Sequence, residues 1–254
     1  NGKVVPNQNV GVTGESMTRL ALSWLTGKRE KGKPFFLYLF FFDPHYDYAP
    51  QPPYDRMFAD RAYRGPQDGK GIRLLRGQAL PDEDKRSIVA SYDGEVRFTD
   101  EQVGKVLEAL KKEGLYESTV VAITADHGEE FWDHGGIMHG HTLYDELVRV
   151  PLVVRCPGLV KAPESIREQV SLMDVMPTLL DAAHLPVPAQ CMGKSLLPLI
   201  QGDNREFKDR ALFLETEAEG VVKAVRTQAR KVVQKRDAGE MELYSLVDDP
   251  LEQR

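Results

Sequence analysis

Apolar residues recur along this chain in two periods, and the switches between them mark its elements. In the stretch "GESMTRLALSWLTG", Met17, Leu20, Ala21, Trp24 and Leu25 fall three or four residues apart, which predicts a helix with one apolar face. "KREKGK" then reads as a charged turn. The run "PFFLYLFFF", residues 34–42, is continuously apolar and aromatic and ends at Asp43-Pro44. Its length and composition predict a strand buried on both faces. Residues 46–79 have no period and are rich in Pro, Gly, Asp and Arg, as in a long surface excursion. Over 81–113 the period is helical again, with Ile88, Tyr92, Val96, Val103, Val106, Leu107 and Leu110 as the stripe. Gly114 supplies its stop, while Gly94 and Gly104 weaken it slightly.

"STVVAITAD" and "RVPLVVRCPG" predict two more buried strands. "SLMDVMPTLLDAAHL" predicts a helix with Pro177 in its first turn. "ALFLETE", "GVVKAVRTQ", "KVVQKRD" and "ELYSLVDDP" read as short strands of a small antiparallel sheet. Strand, long helix, strand is the order of an α/β domain, a mostly parallel mixed sheet flanked by helices. In such folds chemistry gathers at the carboxyl ends of strands. The expected organisation is an α/β domain over residues 1–205 and a β-rich subdomain over 206–254.

Composition narrows the function classes. A net charge of -6 argues against a general nucleic-acid binder. The two cysteines, Cys156 and Cys191, cannot build a disulfide framework and have no CxxC spacing. The longest apolar run is too short to span a bilayer. The first residue is Asn1, which reads as a processed or excised chain.

Four of the six histidines lie in "TADHGEEFWDHGGIMHGH". Asp126 and His127 stand where a predicted strand breaks at Gly128. There a carboxylate and an imidazole can reach one divalent cation, a donor mix suited to Zn, Mn, Fe or Ca. Read alone, the pair is better explained as a turn cap beside a solvated histidine, and two ligands are too few for a stable site. His139 and His141 flank Gly140, whose backbone lets both rings face one cleft, where imidazoles bind anions or give up protons near neutral pH. Two surface histidines is the competing reading. His45 follows Pro44 at another strand end and is a candidate for the same cleft or for a turn cap.

Taken in order, these segments resemble the sulfatase family of the alkaline-phosphatase-like superfamily. The resemblance is carried by "PFFLYLFFFDPHYDYAPQPPY", "SYDGEVRFTDEQVGKVLEALKKEGLYESTVVAITADHGEEFWDHG", "HGHTLYDELVRVPLVVRCPG", "SLMDVMPTLLDAAHLPVPAQCMGKSLLPLI" and "ELYSLVDDPLEQ". It implies a mixed sheet between helices with a small C-terminal sheet. It also implies that Asp126 and His127 form half of a metal site, holding calcium, with manganese or zinc as alternatives. His45, His139 and His141 take the substrate-side roles, including proton donation to the leaving group. Asp100 and Asp174 match family positions as structural residues, and Glu129, Glu130, Asp133 and His134 are left to loop structure and solubility. The partner it implies is a sulfated small molecule or glycan, and the compartment periplasmic or secreted.

The chain departs from the family pattern at several points. No Lys precedes "TLY", and Asp47 stands where relatives often have Pro. No Cys/Ser-x-Pro-x-Arg motif, the source of the formylglycine nucleophile, occurs in the 254 residues. The early acidic metal ligands have no counterpart either, since the only adjacent Asp pair is Asp248-Asp249. The chain is therefore expected to be the C-terminal portion of a sulfatase, inactive alone and needing a complementary N-terminal chain or segment. The alternatives are a phosphodiesterase, a phosphonate hydrolase, a phosphoethanolamine transferase, or a non-catalytic remnant that binds anionic glycans. Arg56, Arg61, Arg64, Lys70, Arg73 and Arg76 of the excursion are available to an acidic partner or are simply solvated.

Overall fold

The computed structural model describes residues 13–160, 164–236 and 238–254. The chain divides into two compact units. The first includes the described residues up to Glu117. It is built on two helices, α1 (Thr13–Ser23), which continues as a wider π turn over Trp24–Lys28, and α2 (Asp82–Lys112). Asp82, Glu83 and Asp84 in the first turn of α2 and Lys111 and Lys112 in its last complement the helix dipole. Its end is a Schellman turn. Gly114 takes φ +69°, and the Leu115 amide donates to the Leu110 carbonyl at 2.9 Å.

Two glycines in this unit are explained by close approach. A Cβ on Gly14 would stand 2.7 Å from an Asp43 carboxylate oxygen and 3.2 Å from the Phe98 ring of α2. One on Gly94 would stand 2.8 Å from the Tyr54 carbonyl. The small cost of Gly94 to the helix is thus exchanged for a loop packed directly on it. That loop belongs to the 46–79 excursion, which is aperiodic but anchored. Tyr48 and Ile72 are fully buried, the Tyr48 amide donates to the Gly69 carbonyl at 2.8 Å, and Tyr63 Oη donates to Asp84 at 2.5 Å.

Residues 35–42, predicted as a strand, belong to no strand ladder among the described residues. They are not buried on both faces. Phe36 is 78% and Tyr38 71% exposed, while the alternate positions are half-buried. The alternation is what a strand shows when one face is packed and no neighbours flank it.

The second unit holds strands β1 (Val121–Thr124) and β4 (Leu152–Arg155), paired antiparallel with Ile123 opposite Val153. Where a mostly parallel sheet was expected, this is the ladder formed there among the described residues, and both of those side chains stay exposed. Between them come the short β2 (Glu130–Phe131) and the single turn α3 (Asp145–Val148). β3 is Ile137–Met138, in the other unit. A 3-10 turn, Leu172–Asp174, leads into α4 (Val175–Ala182), and α5 (Leu197–Ile200) follows. Pro177 sits in the first turn of α4, where no intrahelical amide bond is lost.

Asp174 is structural. It is fully buried, accepts from the Ser171 and Lys194 amides, and forms a two-pronged pair with Arg210. Asp100 lies on α2, where it pairs with Arg97 at 3.1 Å. The tail forms the predicted antiparallel sheet, β5 (Leu212–Thr216), β6 (Val222–Arg226), β7 (Arg230–Lys235) and β8 (Glu240–Ser245), in that spatial order. Asp237, at the end of one expected segment, lies outside the described residues. Leu143, Val222, Ala224 and Val233 make the buried core on the sheet's inner face. No helix among the described residues is long and apolar enough to cross a membrane.

Candidate active site

β1 delivers Asp126 and His127 just past its last residue, Thr124. Gly128 then turns the chain against α3. Its amide donates to the Leu147 carbonyl at 2.8 Å, and a Cβ there would fall 1.9 Å from the Glu146 carbonyl. Only glycine fits, so the two candidate ligands are held at a fixed bend. His127 Nδ1 donates to the Gly128 carbonyl at 2.8 Å. A carbonyl only accepts, so the neutral ring keeps its lone pair at Nε2. That Nε2 lies 3.8 Å from Asp126 Oδ2, and both side chains remain partly exposed. A ligand histidine pinned through one nitrogen to a carbonyl, beside a carboxylate, is the donor set a divalent ion uses. The two residues fit half a metal shell. Among the described residues no group of three or more such side chains could hold an ion by itself.

The His127 and His139 rings lie 3.9 Å apart, so one candidate metal ligand packs on one candidate substrate-side histidine. His139 Nδ1 is 3.2 Å from both carboxylate oxygens of Glu129. His141 Nε2 donates to Glu130 Oε2 at 2.7 Å, and the other oxygen of Glu130 accepts the His134 amide at 3.1 Å. Gly140, with φ +91°, turns the chain between the two histidines, and its carbonyl accepts from Thr216 Oγ1 at the end of β5. The C-terminal sheet therefore holds the histidine loop in place.

Glu129 and Glu130 are corrected here. They are not solubilising loop residues, since their side chains are 5% and 0% exposed and each is spent on a histidine. The signal that could have found them was two acids directly after "DHG" in a segment with two further histidines downstream. His134 was rightly left to structure. Both its ring nitrogens are engaged, by Glu146 at 2.6 Å and the Glu252 carbonyl at 2.9 Å, and its ring stacks on Tyr144 at 3.7 Å. Burial pulls its pKa down, but these bonds and the charges of Glu146 and Glu130 outweigh that and raise it. Asp133 accepts the Phe131 amide in the same turn.

His45 belongs to the other unit and is built there. Its Nδ1 donates to the Tyr46 carbonyl at 2.8 Å, and its ring stacks on Phe42 at 4.5 Å and lies tilted against Tyr46 at 4.2 Å.

Comparison with known proteins gives this arrangement a context. The family model described as Sulfatase matches residues 3–185, and one described as N-sulphoglucosamine sulphohydrolase, C-terminal, matches 133–254. The chain is 30% identical over 240 residues to an arylsulfatase of Clostridium perfringens, covering 89% of this chain and 50% of that protein. It is 30% identical over 187 residues to an N-acetylglucosamine-6-O-sulfatase of Bacteroides thetaiotaomicron, covering 70% of this chain and 33% of the relative. The solved phosphonate monoester hydrolase of Agrobacterium radiobacter superposes with a TM-score of 0.77 at 26% identity, over 96% of this chain and 56% of that one. The chain thus spans half or less of the length of these two curated relatives.

Proposed function

Because the chain belongs to the sulfatase family, we propose that it is the C-terminal portion of a metal-dependent enzyme that hydrolyses sulfate esters. Residues 1–205 supply part of its α/β domain, with a mostly parallel sheet completed from outside the chain, and 206–254 its β-rich subdomain. One observation carries the reading. At the end of β1, His127 is held through Nδ1 and packed on His139, so a metal ligand and a substrate-side histidine share one corner.

In this reading Asp126 and His127 hold one side of a divalent ion, calcium first, with manganese or zinc as alternatives. That ion, when bound, neutralises charge on the ester oxygens and activates the nucleophile. The nucleophile, a formylglycine made from Cys or Ser, belongs to a segment that this chain does not supply. His45, His139 and His141 bind the anionic group, and one of them gives a proton to the departing alcohol oxygen. The substrate is a sulfated small molecule or glycan. Without the complementary segment the chain is inactive, and its uncovered apolar positions, Phe36, Tyr38, Ile123 and Val153, leave it prone to association.

The test is an aryl sulfate assay of the 254-residue chain alone and together with the complementary segment. Turnover only in the second case, dependent on a divalent ion, is the expected result, whereas robust turnover by the purified chain alone contradicts the reading. A phosphonate or phosphate ester hydrolase is the second reading, favoured by the likeness to the phosphonate monoester hydrolase and by the absence of Lys before "TLY". A faster rate on phosphonate than on sulfate esters selects it.

A further inference from the structure

The four residues of α3 are too few to hold a helical turn unaided, yet the Gly128 bend rests on them. The Leu147 carbonyl accepts the Gly128 amide at 2.8 Å, and the Glu146 carbonyl fills the space where a Cβ of residue 128 would stand. What holds α3 comes from the far end of the chain. The Asp145 amide, at the start of α3, donates to Glu252 Oε2 at 2.6 Å, and Lys231 Nζ stands 2.9 Å from Glu252 Oε1. The Glu252 carbonyl accepts from His134 Nε2 at 2.9 Å, and the same ring meets the Glu146 carboxylate of α3 through Nδ1 at 2.6 Å.

The tail is built to deliver this one residue. Leu251, Gln253 and Arg254 are exposed, whereas the Glu252 side chain is fully buried. Its backbone takes φ +56°, a left-handed conformation that a non-glycine residue keeps only where its surroundings over-determine it. Asp249 fixes the turn, its carboxylate accepting the Gln253 and Arg254 amides at 3.0 and 2.8 Å.

We propose that Glu252 is a positioning residue of the Asp126–His127 corner, holding α3 through the Asp145 amide so that α3 in turn fixes the Gly128 bend. That this corner takes a divalent ion rests on the function proposed above, whereas the coupling of the tail to the bend does not. Glu252 acts through α3, as a group outside the ligand shell orients the ligands within it. The oxygen that receives the Asp145 amide sets the place of α3, while the Lys231 pair offsets the cost of burying the carboxylate.

The experiment reads the Gly128 amide and His127 ring signals by ¹⁵N–¹H spectroscopy in the assembled, metal-free protein, wild type against Glu252→Ala, Glu252→Asp, Glu252→Gln and Lys231→Met. Glu252→Ala removes the acceptor, so the Gly128 amide proton moves upfield as its bond to Leu147 weakens, and the His127 signals shift with it. Should that variant not fold, Glu252→Asp decides, since it keeps the charge and withdraws the oxygen by one methylene. Glu252→Gln and Lys231→Met lose the ion pair but keep an acceptor for the Asp145 amide. Both lower the unfolding midpoint and leave the Gly128 and His127 signals in place. Unchanged signals in a folded Ala or Asp variant overturn the proposal, as do equal shifts in all four.

A calcium titration of the same proteins by calorimetry separates the proposal from the functional reading. Glu252→Ala weakens calcium binding about 10- to 100-fold, and Glu252→Gln hardly changes it. A shifted Gly128 amide in Glu252→Ala with calcium affinity unchanged supports the coupling and overturns the metal role given to Asp126 and His127.

Discussion

His134 and His127 lie in the same polar segment, yet the fold holds them oppositely. His134 has both ring nitrogens bonded to the protein, is stacked flat on Tyr144, and sits beside an ionic cluster that closes on itself. In that cluster Lys231, fully buried, pairs with Asp145 at 3.0 Å and Glu252 at 2.9 Å, and Arg226 grips Asp145 with two further bonds. His127 spends one nitrogen on its own turn and presents the other beside a carboxylate at a partly exposed corner. Titratable groups crowd both places. What separates a strut from a reagent is how many of its polar atoms the fold has consumed.

The comparison can be broken from either side, and the largest effect is expected at the reagent. Asp126→Ala or His127→Ala should lower sulfate ester turnover of the assembled enzyme by at least about 10³-fold, because a metal contributes several kcal/mol to such a transition state. Its thermal midpoint without metal should barely move. A variant retaining near wild-type turnover breaks the comparison. Lys231→Met should do the reverse. It leaves the buried Glu252 carboxylate without its cation, while Asp145 keeps Arg226, at a cost of about 3 to 5 kcal/mol in stability, read from denaturant unfolding. The His127 and His139 ring signals should stay unshifted under native conditions.

Glu95 of α2 sharpens the contrast between buried acids. Glu130 has two N–H donors, whereas Glu95 has the Ala49 amide at 3.0 Å and the like charge of Asp43 nearby. Burial first, then Asp43, push its pKa up to about 7 despite that amide. A raised carboxyl favours the protonated fold. Its contribution is complete below the ordinary value near 4.5 and is lost as pH rises through about 7. Glu95→Gln should therefore melt several degrees above wild type at pH 8 and level with it at pH 4.5, and equal midpoints at pH 8 contradict the assignment.

The smallest effect belongs to His134. Its pKa is raised, so its stabilisation is complete below about pH 6.5 and fades as pH climbs through the raised value. His134→Gln should cost about 1 kcal/mol at pH 6 and less at pH 9. A loss that does not depend on pH points to packing on Tyr144 instead of the charged bonds.

Much of the fold was legible because its signals are local. The stripe and end charges of α2, the stop at Gly114 and the alternation through 212–245 each lie within one element. The sheet around residues 35–42 was not, because a ladder is a relation between strands and this aromatic run has no partner strand among the described residues. Nor was the anchoring of the 46–79 excursion, since Tyr48 and Ile72 are buried by contacts that periodicity cannot register. In the candidate site, Asp126, His127, His139 and His141 could be proposed from residue type at a strand end. Glu129 and Glu130 could not, because acids in a polar loop look solvated until the fold shows them enclosed.

The central claim is that this chain carries half of a sulfatase metal centre, at Asp126 and His127. The most direct measurement is kcat/KM for an aryl sulfate and for an aryl phosphonate, by the assembled protein and by its Asp126→Ala variant, with the divalent ion removed and restored. The account predicts a preference for the sulfate, lost on metal removal, recovered on its return, and not recovered in the variant. Sulfate ester hydrolysis that is indifferent to both the ion and Asp126 would contradict it.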